Sequence, residues 1–193
     1  AQASECIACV AGRYVNSAGS DAALDCIQCG AGRYSSAPGS AEASDCIACA
    51  AGKYVEATGS SKASDCIECA AGKYVEAVGS TAASACIDCA AGQYGEVTGG
   101  PNATLACIEC AAGMYTSSAG RTYCDGCQAG SITDTGAQPG ATTCTACGAG
   151  NYSTASSVAS CIECGAGSVT NTGSAGGATT CTACVACLLY TSD

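Results

Sequence analysis

Residues 46–69 read CIACAAGKYVEATGSSKASDCIEC. The stretch opens on a Cys-x-x-Cys pair, passes through Ala51-Gly52-Lys53-Tyr54 and a Gly59-Ser60 turn, and closes on a second Cys-x-x-Cys pair. Ten such pairs start at Cys6, Cys26, Cys46, Cys66, Cys86, Cys107, Cys124, Cys144, Cys161 and Cys181. The first five start 20 residues apart, and later spacings are 21, 17, 20, 17 and 20. A fixed period of this size is the mark of a repeat architecture, in which each unit is one small supersecondary element. Nearly every unit carries Ala-Gly two residues past its second Cys. The slot after the next residue holds Tyr14, Tyr34, Tyr54, Tyr74, Tyr94, Tyr115 or Tyr152, with Ile132 and Val169 replacing Tyr in two units.

Composition explains why cysteine must carry the fold. The chain has 193 residues, 21 of them Cys. Leu, Ile, Val and Phe together also number 21, roughly 11% against the ~20% below which chains lack a sustaining core. Trp, Phe and His are absent. A single large core is excluded, and Cys at this density points to a cross-linked framework in an oxidising compartment. A net charge of −10 argues against a phosphate backbone as partner, so no nucleic acid is expected. Without His the chain lacks the commonest general base, and no enzyme activity is expected. No apolar run approaches the ~18 residues of a membrane span, so no membrane insertion is expected within this stretch.

Three domains follow. Residues 1–100 are five regular 20-residue repeats and hold 16 of the 22 charges. Residues 101–186 alternate 17- and 20-residue repeats in a 37-residue super-period, after a Gly99-Gly100-Pro101-Asn102 join. Residues 187–193 (CLLYTSD) break the grammar and resemble a translated sequencing-library adapter, so they are set aside as a read-through artefact. Ala1-Gln2-Ala3-Ser4-Glu5-Cys6 matches the interior stretch Ala41 to Cys46. Both ends therefore read as cuts through a longer protein, with signal peptide and any anchor outside this fragment.

Recurrent Gly and dense Ser and Thr exclude long helices. Each unit is expected to be a short irregular hairpin, too small to bury its own face, stacked on its neighbours alone. The outcome should be an elongated rod. The fold class is small, disulfide-rich and mostly β or irregular, as a tandem array of disulfide-closed hairpins.

The spacing Cys-x2-Cys-x16-Cys-x2-Cys also fits a four-thiolate zinc site. Zinc would pair units two by two, yet odd and even units in residues 1–100 do not differ. Ten redox-active Cys-x-x-Cys centres are excluded, because each would need one poised thiolate. Bridging inside a pair gives a tight, reducible ring suited to exchange and not to scaffolding. We therefore read serial closure: Cys9–Cys26, Cys29–Cys46, Cys49–Cys66, Cys69–Cys86, Cys89–Cys107, Cys110–Cys124, Cys127–Cys144, Cys147–Cys161 and Cys164–Cys181. Cys6 and Cys184 are left over, one near each end. No cofactor and no metal is assigned, and there is no Asp-x-Asp-x-Asp-Gly calcium loop. The Tyr ring is expected to cover its own unit's disulfide, and the acidic residues to form a solvated surface. Asn102-Ala103-Thr104 and Asn151-Tyr152-Ser153 are N-glycosylation sequons.

The unit Cys-x-x-Cys-x-Ala-Gly-x-Tyr with its Gly-Ser turn resembles the ephrin-receptor-like cysteine-rich repeat and the single-disulfide module of tumour necrosis factor receptor domains. The resemblance covers residues 6–186, and Cys144-Thr145-Ala146-Cys147-Gly148-Ala149-Gly150-Asn151-Tyr152 follows it most closely. It implies extracellular or cell-surface all-β modules without catalysis. Two functions are compatible with it: a structural or adhesive stalk or display rod, and a ligand-binding receptor ectodomain with a protein or glycan partner. A binding site in the second case would need side chains peculiar to one unit, and Met114, Arg121 and Tyr123 are the ones available. A thiolate zinc-binding protein is the remote third reading.

With so little aliphatic surface, reduction is expected to abolish the fold and not merely soften it. Amide chemical-shift dispersion before and after full reduction checks this, and native-like dispersion in the reduced chain would contradict it.

Overall fold

The computed structural model describes residues 8–17 and 22–184. Among these, the fold is a series of two-stranded antiparallel hairpins, each closed by one disulfide. The hairpin built from residues 49–69 shows the plan. Gly52 adopts φ +85°, which turns the chain out of Cys49 and into the strand Lys53–Tyr54. That strand pairs with Ile67–Glu68 in the register Lys53↔Glu68 and Tyr54↔Ile67. The pairing ends after two residues because the backbone then changes partner. The Val55 N–H donates to Ser80 O at 3.1 Å, in the following hairpin, and Gly52 N–H donates to Val75 O at 2.8 Å. In return, Gly79 N–H donates to Cys49 O at 2.8 Å. A parallel bridge, Tyr54↔Ser80, marks the same junction. Each hairpin is thus half of its own ladder and half of the next.

Before its closing cysteine the chain makes one tight helical turn. Ala43–Asp45 and Ala63–Asp65 are 3-10 turns. Asp45 Oδ2 accepts the N–H groups of Ala41 and Glu42 at 2.7 and 3.1 Å. Asp65 does the same for Ser61 and Lys62 at 2.9 and 3.2 Å. These carboxylates are caps that satisfy otherwise orphan donors, and not solely a solvated surface. Where the spacing lengthens by one residue, the turn widens into the four-residue α-helix Ala103–Ala106, capped by Asn102.

The interior of each unit is built around sulfur. Cys29, Cys49, Cys69, Cys89 and Cys110 are fully buried, together with the residue that follows the Tyr slot: Ser35, Val55, Val75, Thr116, Thr133, Ser153 and Thr170. The Tyr rings are only half-buried. Tyr34 packs against the cluster of Cys49, Val55 and Cys66, which belongs to the next hairpin. For Tyr34 the expectation that the ring covers its own unit's disulfide is corrected: side chains alternate along a strand, and the inward position is taken by the residue after Tyr.

The chain divides into two compact units, Ala1–Cys89 with Gly95–Ile108, and Ala90–Tyr94 with Glu109–Asp193. In the first unit, packing reaches beyond the nearest neighbour. A Cβ on Gly12 would collide with the Gly59 carbonyl, one on Gly32 with that of Gly79, and one on Gly52 with that of Gly99. Each pair joins a hairpin to the next but one, so the expected neighbour-only stacking is too simple. In the second unit the 20-residue hairpins carry three-residue strands, Ser131–Thr133 with Cys144–Ala146 and Ser168–Thr170 with Cys181–Ala183. The 17-residue ones keep two-residue strands, Met114–Tyr115 with Asp125–Gly126 and Asn151–Tyr152 with Ile162–Glu163.

Gly52 and Gly150 share a left-handed backbone, at φ +85° and +78°, but among the described residues Gly150 has open space where Gly52 meets a carbonyl. Gly150→Ala is expected to cost about 1 kcal/mol for backbone strain alone. Gly52→Ala must also displace the Gly99 backbone and is expected to cost several-fold more. Native-state hydrogen exchange of the amides around each glycine separates the two; equal losses would show that the close approach contributes nothing.

Candidate functional site

Nine disulfides join Cys9–Cys26, Cys29–Cys46, Cys49–Cys66, Cys69–Cys86, Cys89–Cys107, Cys110–Cys124, Cys127–Cys144, Cys147–Cys161 and Cys164–Cys181. In Cys49–Cys66 the Cα atoms stand 5.8 Å apart, within the usual span of an unforced bridge. Sulfur so paired is not available as a thiolate ligand. Cys184 is exposed and unpaired among the described residues, while Cys6 and residues 187–193 lie outside them. Among the described residues no group of three or more His, Cys, Asp or Glu converges, and no helix is long and apolar enough to cross a membrane.

The two sequons occupy different settings. Asn102 Oδ1 accepts the Leu105 N–H at 2.9 Å, which leaves its Nδ2 without a partner among the described residues, beside an exposed Thr104. Asn151 lies in the strand Asn151–Tyr152 and its Nδ2 donates to Ala149 O at 3.3 Å. The Ser153 hydroxyl of that sequon is buried and donates to Ala155 O at 2.9 Å.

The outer face of the first unit is repetitive. Ile47, Ile67 and Ile87 are 51, 52 and 52% exposed, and each lies opposite a Tyr: Tyr34↔Ile47, Tyr54↔Ile67 and Tyr74↔Ile87. Shallow cavities recur beside them, of about 460 Å³ over residues 35–47 and about 630 Å³ over residues 54–67. Four basic side chains are engaged close to home. Arg13 and Arg33 donate to Cys26 O and Cys46 O at 3.0 and 2.8 Å. Lys53 pairs with Glu68 at 3.2 Å and Lys73 with Asp88 at 2.5 Å. Such exposed pairs add roughly 0–1 kcal/mol each. The Thr98 hydroxyl, followed by Lys53, holds the Glu68 carboxyl below its ordinary value.

The second unit contains the one departure from this pattern found by the sequence. Arg121, Tyr123 and Met114 all belong to the hairpin closed by Cys110–Cys124. The Arg121 guanidinium lies 4.4 Å from the centroid of the Tyr123 ring and reaches Asp125 at 2.8 Å. Met114 stands opposite Gly126 across the strands. Asp125 was missed by the sequence reading. Its signal was available: Cys124-Asp125-Gly126-Cys127 puts a carboxylate where most pairs carry Ile.

Residues 1–46 and 21–66 each match the family model described as tyrosine-protein kinase ephrin type A/B receptor-like. The two windows are offset by one 20-residue repeat (21 − 1). A search of curated proteins gives no match. The chain is a cysteine-rich tandem repeat protein whose first modules are similar to that receptor-type repeat.

A pair of equivalent clamps in the second unit supplies a pH test. Asp134 accepts the Thr142 N–H and hydroxyl at 3.1 and 2.9 Å. Asn171, 37 residues on, accepts the Thr179 N–H at 3.0 Å, and its amide donates to the Thr179 hydroxyl at 3.0 Å. The Thr142 hydroxyl lowers the Asp134 pKa. A depressed folded pKa gives stability that is full above the unfolded value and lost as pH falls through the folded one. Acidification below the carboxylate range is therefore expected to reduce exchange protection at Thr142 but not at Thr179. Asp134→Asn should remove the difference, and equal acid sensitivity at both amides would refute it.

Proposed function

We propose that this chain is part of an extracellular or cell-surface protein in which it serves as a non-catalytic structural and adhesive array, a stalk or display element. The observation that carries the reading is the sameness of the outer face. Ile47, Ile67 and Ile87 share one exposure and one cross-strand partner type, so consecutive hairpins offer one surface several times. Equal weak contacts gain by multivalency, and each added module extends reach without altering chemistry. The match of residues 1–66 to a receptor-type extracellular repeat and nine disulfides support placement outside the reducing cytosol.

The receptor reading has its own support in the Arg121, Tyr123 and Asp125 cluster, which occurs in one hairpin. Residues 50–69 form one complete period, and their removal leaves Cys49 in the place of Cys69. Displayed on a cell surface behind a leader and an anchor, the shortened chain is expected to remain oxidised and folded. Adhesion to beads coated with partner-cell extract should then fall in a graded way. Abolition of adhesion by this deletion, or adhesion unchanged by any module deletion, would overturn the reading.

A further inference from the structure

A groove recurs where one hairpin meets the next. In the first unit an example is lined by Tyr14, Gly30, Arg33, Ala43, Ser44 and Cys46. Its character is bland: Gly30 adds no side chain, the Arg33 guanidinium is engaged with Cys46 O at 2.8 Å, and the residue opposite Tyr14 is Ile27. The corresponding cavity in the second unit, about 440 Å³, is lined by Tyr115, Asp125, Gly126, Gln128, Ser131 and Cys144. Here Gln128 takes the place of Gly30, Ser131 that of Arg33, and Asp125, opposite Tyr115, that of Ile27. Three positions have gained neutral or neutralised hydrogen-bonding groups together, in one groove.

The charges narrow the ligand class. Arg121 holds Asp125 Oδ2 at 2.8 Å while its guanidinium rests over Tyr123. That pair carries no net charge, so a cation gains little. An anion meets a carboxylate on a chain of net charge −10. An apolar ligand has lost the Ile. What remains free among the described residues is the Oδ1 acceptor of Asp125, the Gln128 amide with both donors and acceptor, and the Ser131 hydroxyl, beside the half-buried aromatic Tyr115. Donors and acceptors set around an aromatic wall match a neutral polyhydroxylated ring.

We infer that the groove bounded by Tyr115, Asp125, Gln128 and Ser131 binds a neutral pyranose, free or at the end of a glycan. Arg121 acts as a positioning residue that fixes the Asp125 carboxylate. The inference goes beyond the array reading and does not depend on it, because the groove is complete within the second unit.

The oxidised full chain, labelled with nitrogen-15, is titrated separately with the methyl glycosides of glucose, galactose, mannose and N-acetylglucosamine. The same titration is run with the linear hexamer of each sugar that binds. At least one glycoside is expected to give saturable shifts at Gly126, Gln128 and Ser131, with Kd on the order of 1 mM for an open single site, and little dependence on salt. A hexamer that binds tenfold tighter assigns the source as a chain, and equal binding assigns the free sugar. Asp125→Ile with Gln128→Gly restores residues that other hairpins carry, so the fold should hold, and binding should weaken at least tenfold. Arg121→Gln should weaken it less, and Arg121→Lys, which can still pair with Asp125, should largely restore it. Absence of saturable shifts with all four glycosides would overturn the assignment. So would undiminished binding by the double variant, or displacement of the sugar by an equimolar Ser/Thr-rich peptide.

Discussion

Everything in this chain depends on one bridge geometry: the second cysteine of each pair is tied to the first cysteine of the next. In Cys49–Cys66 the tie brings the two ends of a hairpin to a Cα separation of 5.8 Å. A closure of this length removes roughly 3 kcal/mol of unfolded-state freedom in the chain-entropy account. That constraint, and not apolar burial, is what permits a two-residue strand such as Lys53–Tyr54 to exist, since an isolated hairpin of that size is not stable in water. Because the bridge already fixes the hairpin, its backbone is released to bond elsewhere. Val55 and Gly52 bond forward to Ser80 and Val75, and the array becomes continuous. Covalent closure sets the unit, and hydrogen bonds join the units.

Much of this was legible. Cys-x-x-Cys at a 20-residue period states the unit length, and Gly at the same offset states where the chain must turn. What could not be read is the contact of a hairpin with the next but one. Gly52 stands at the same offset as the other glycines of the repeat, yet nothing in the sequence says that the Gly99 carbonyl lies where its Cβ would be. A residue chosen for two reasons shows only the first. The Tyr slot misled for a related reason. A large aromatic at a fixed position looks like the core, whereas the buried position is the next residue, filled by Ser35, Val55 or Thr116. That position alternates between polar Ser or Thr and apolar Val from unit to unit, so no periodic apolar signal marks it. The aspartates before the closing cysteines were likewise read as surface, although Asp45 and Asp65 cap backbone donors.

The 17- and 20-residue alternation of the second half has a physical reading as well. The longer hairpins add a third pair of residues and a side-chain clamp, Asp134 with Thr142 and Asn171 with Thr179. Thr133 and Thr170 are buried and each donates to a turn carbonyl at 2.7 Å. Hydroxyl groups here replace the 3-10 cap of the first half, while Gly140-Ala141 and Gly177-Ala178 keep the place of the Gly-Ser turn at φ +81° and +80°, so two local solutions serve the same bridge.

An array held in this way can alter one surface at small cost. In a stacked repeat protein, stability is approximately a sum over units and junctions. An Ile that is half exposed, as Ile67 is at 52%, contributes about 1 kcal/mol by burial. Exchanging it for an aspartate is offset in part by an Arg pair worth roughly 0–1 kcal/mol and by an Arg–Tyr contact of about 0.5–1 kcal/mol. Both are present at Arg121. The bridges on either side, Cys110–Cys124 and Cys127–Cys144, are unaffected by such changes. A covalently closed unit therefore separates the residues that hold the fold from those that face outward. Repetition preserves the first set, and the second is free to become specific in one hairpin while its neighbours remain alike.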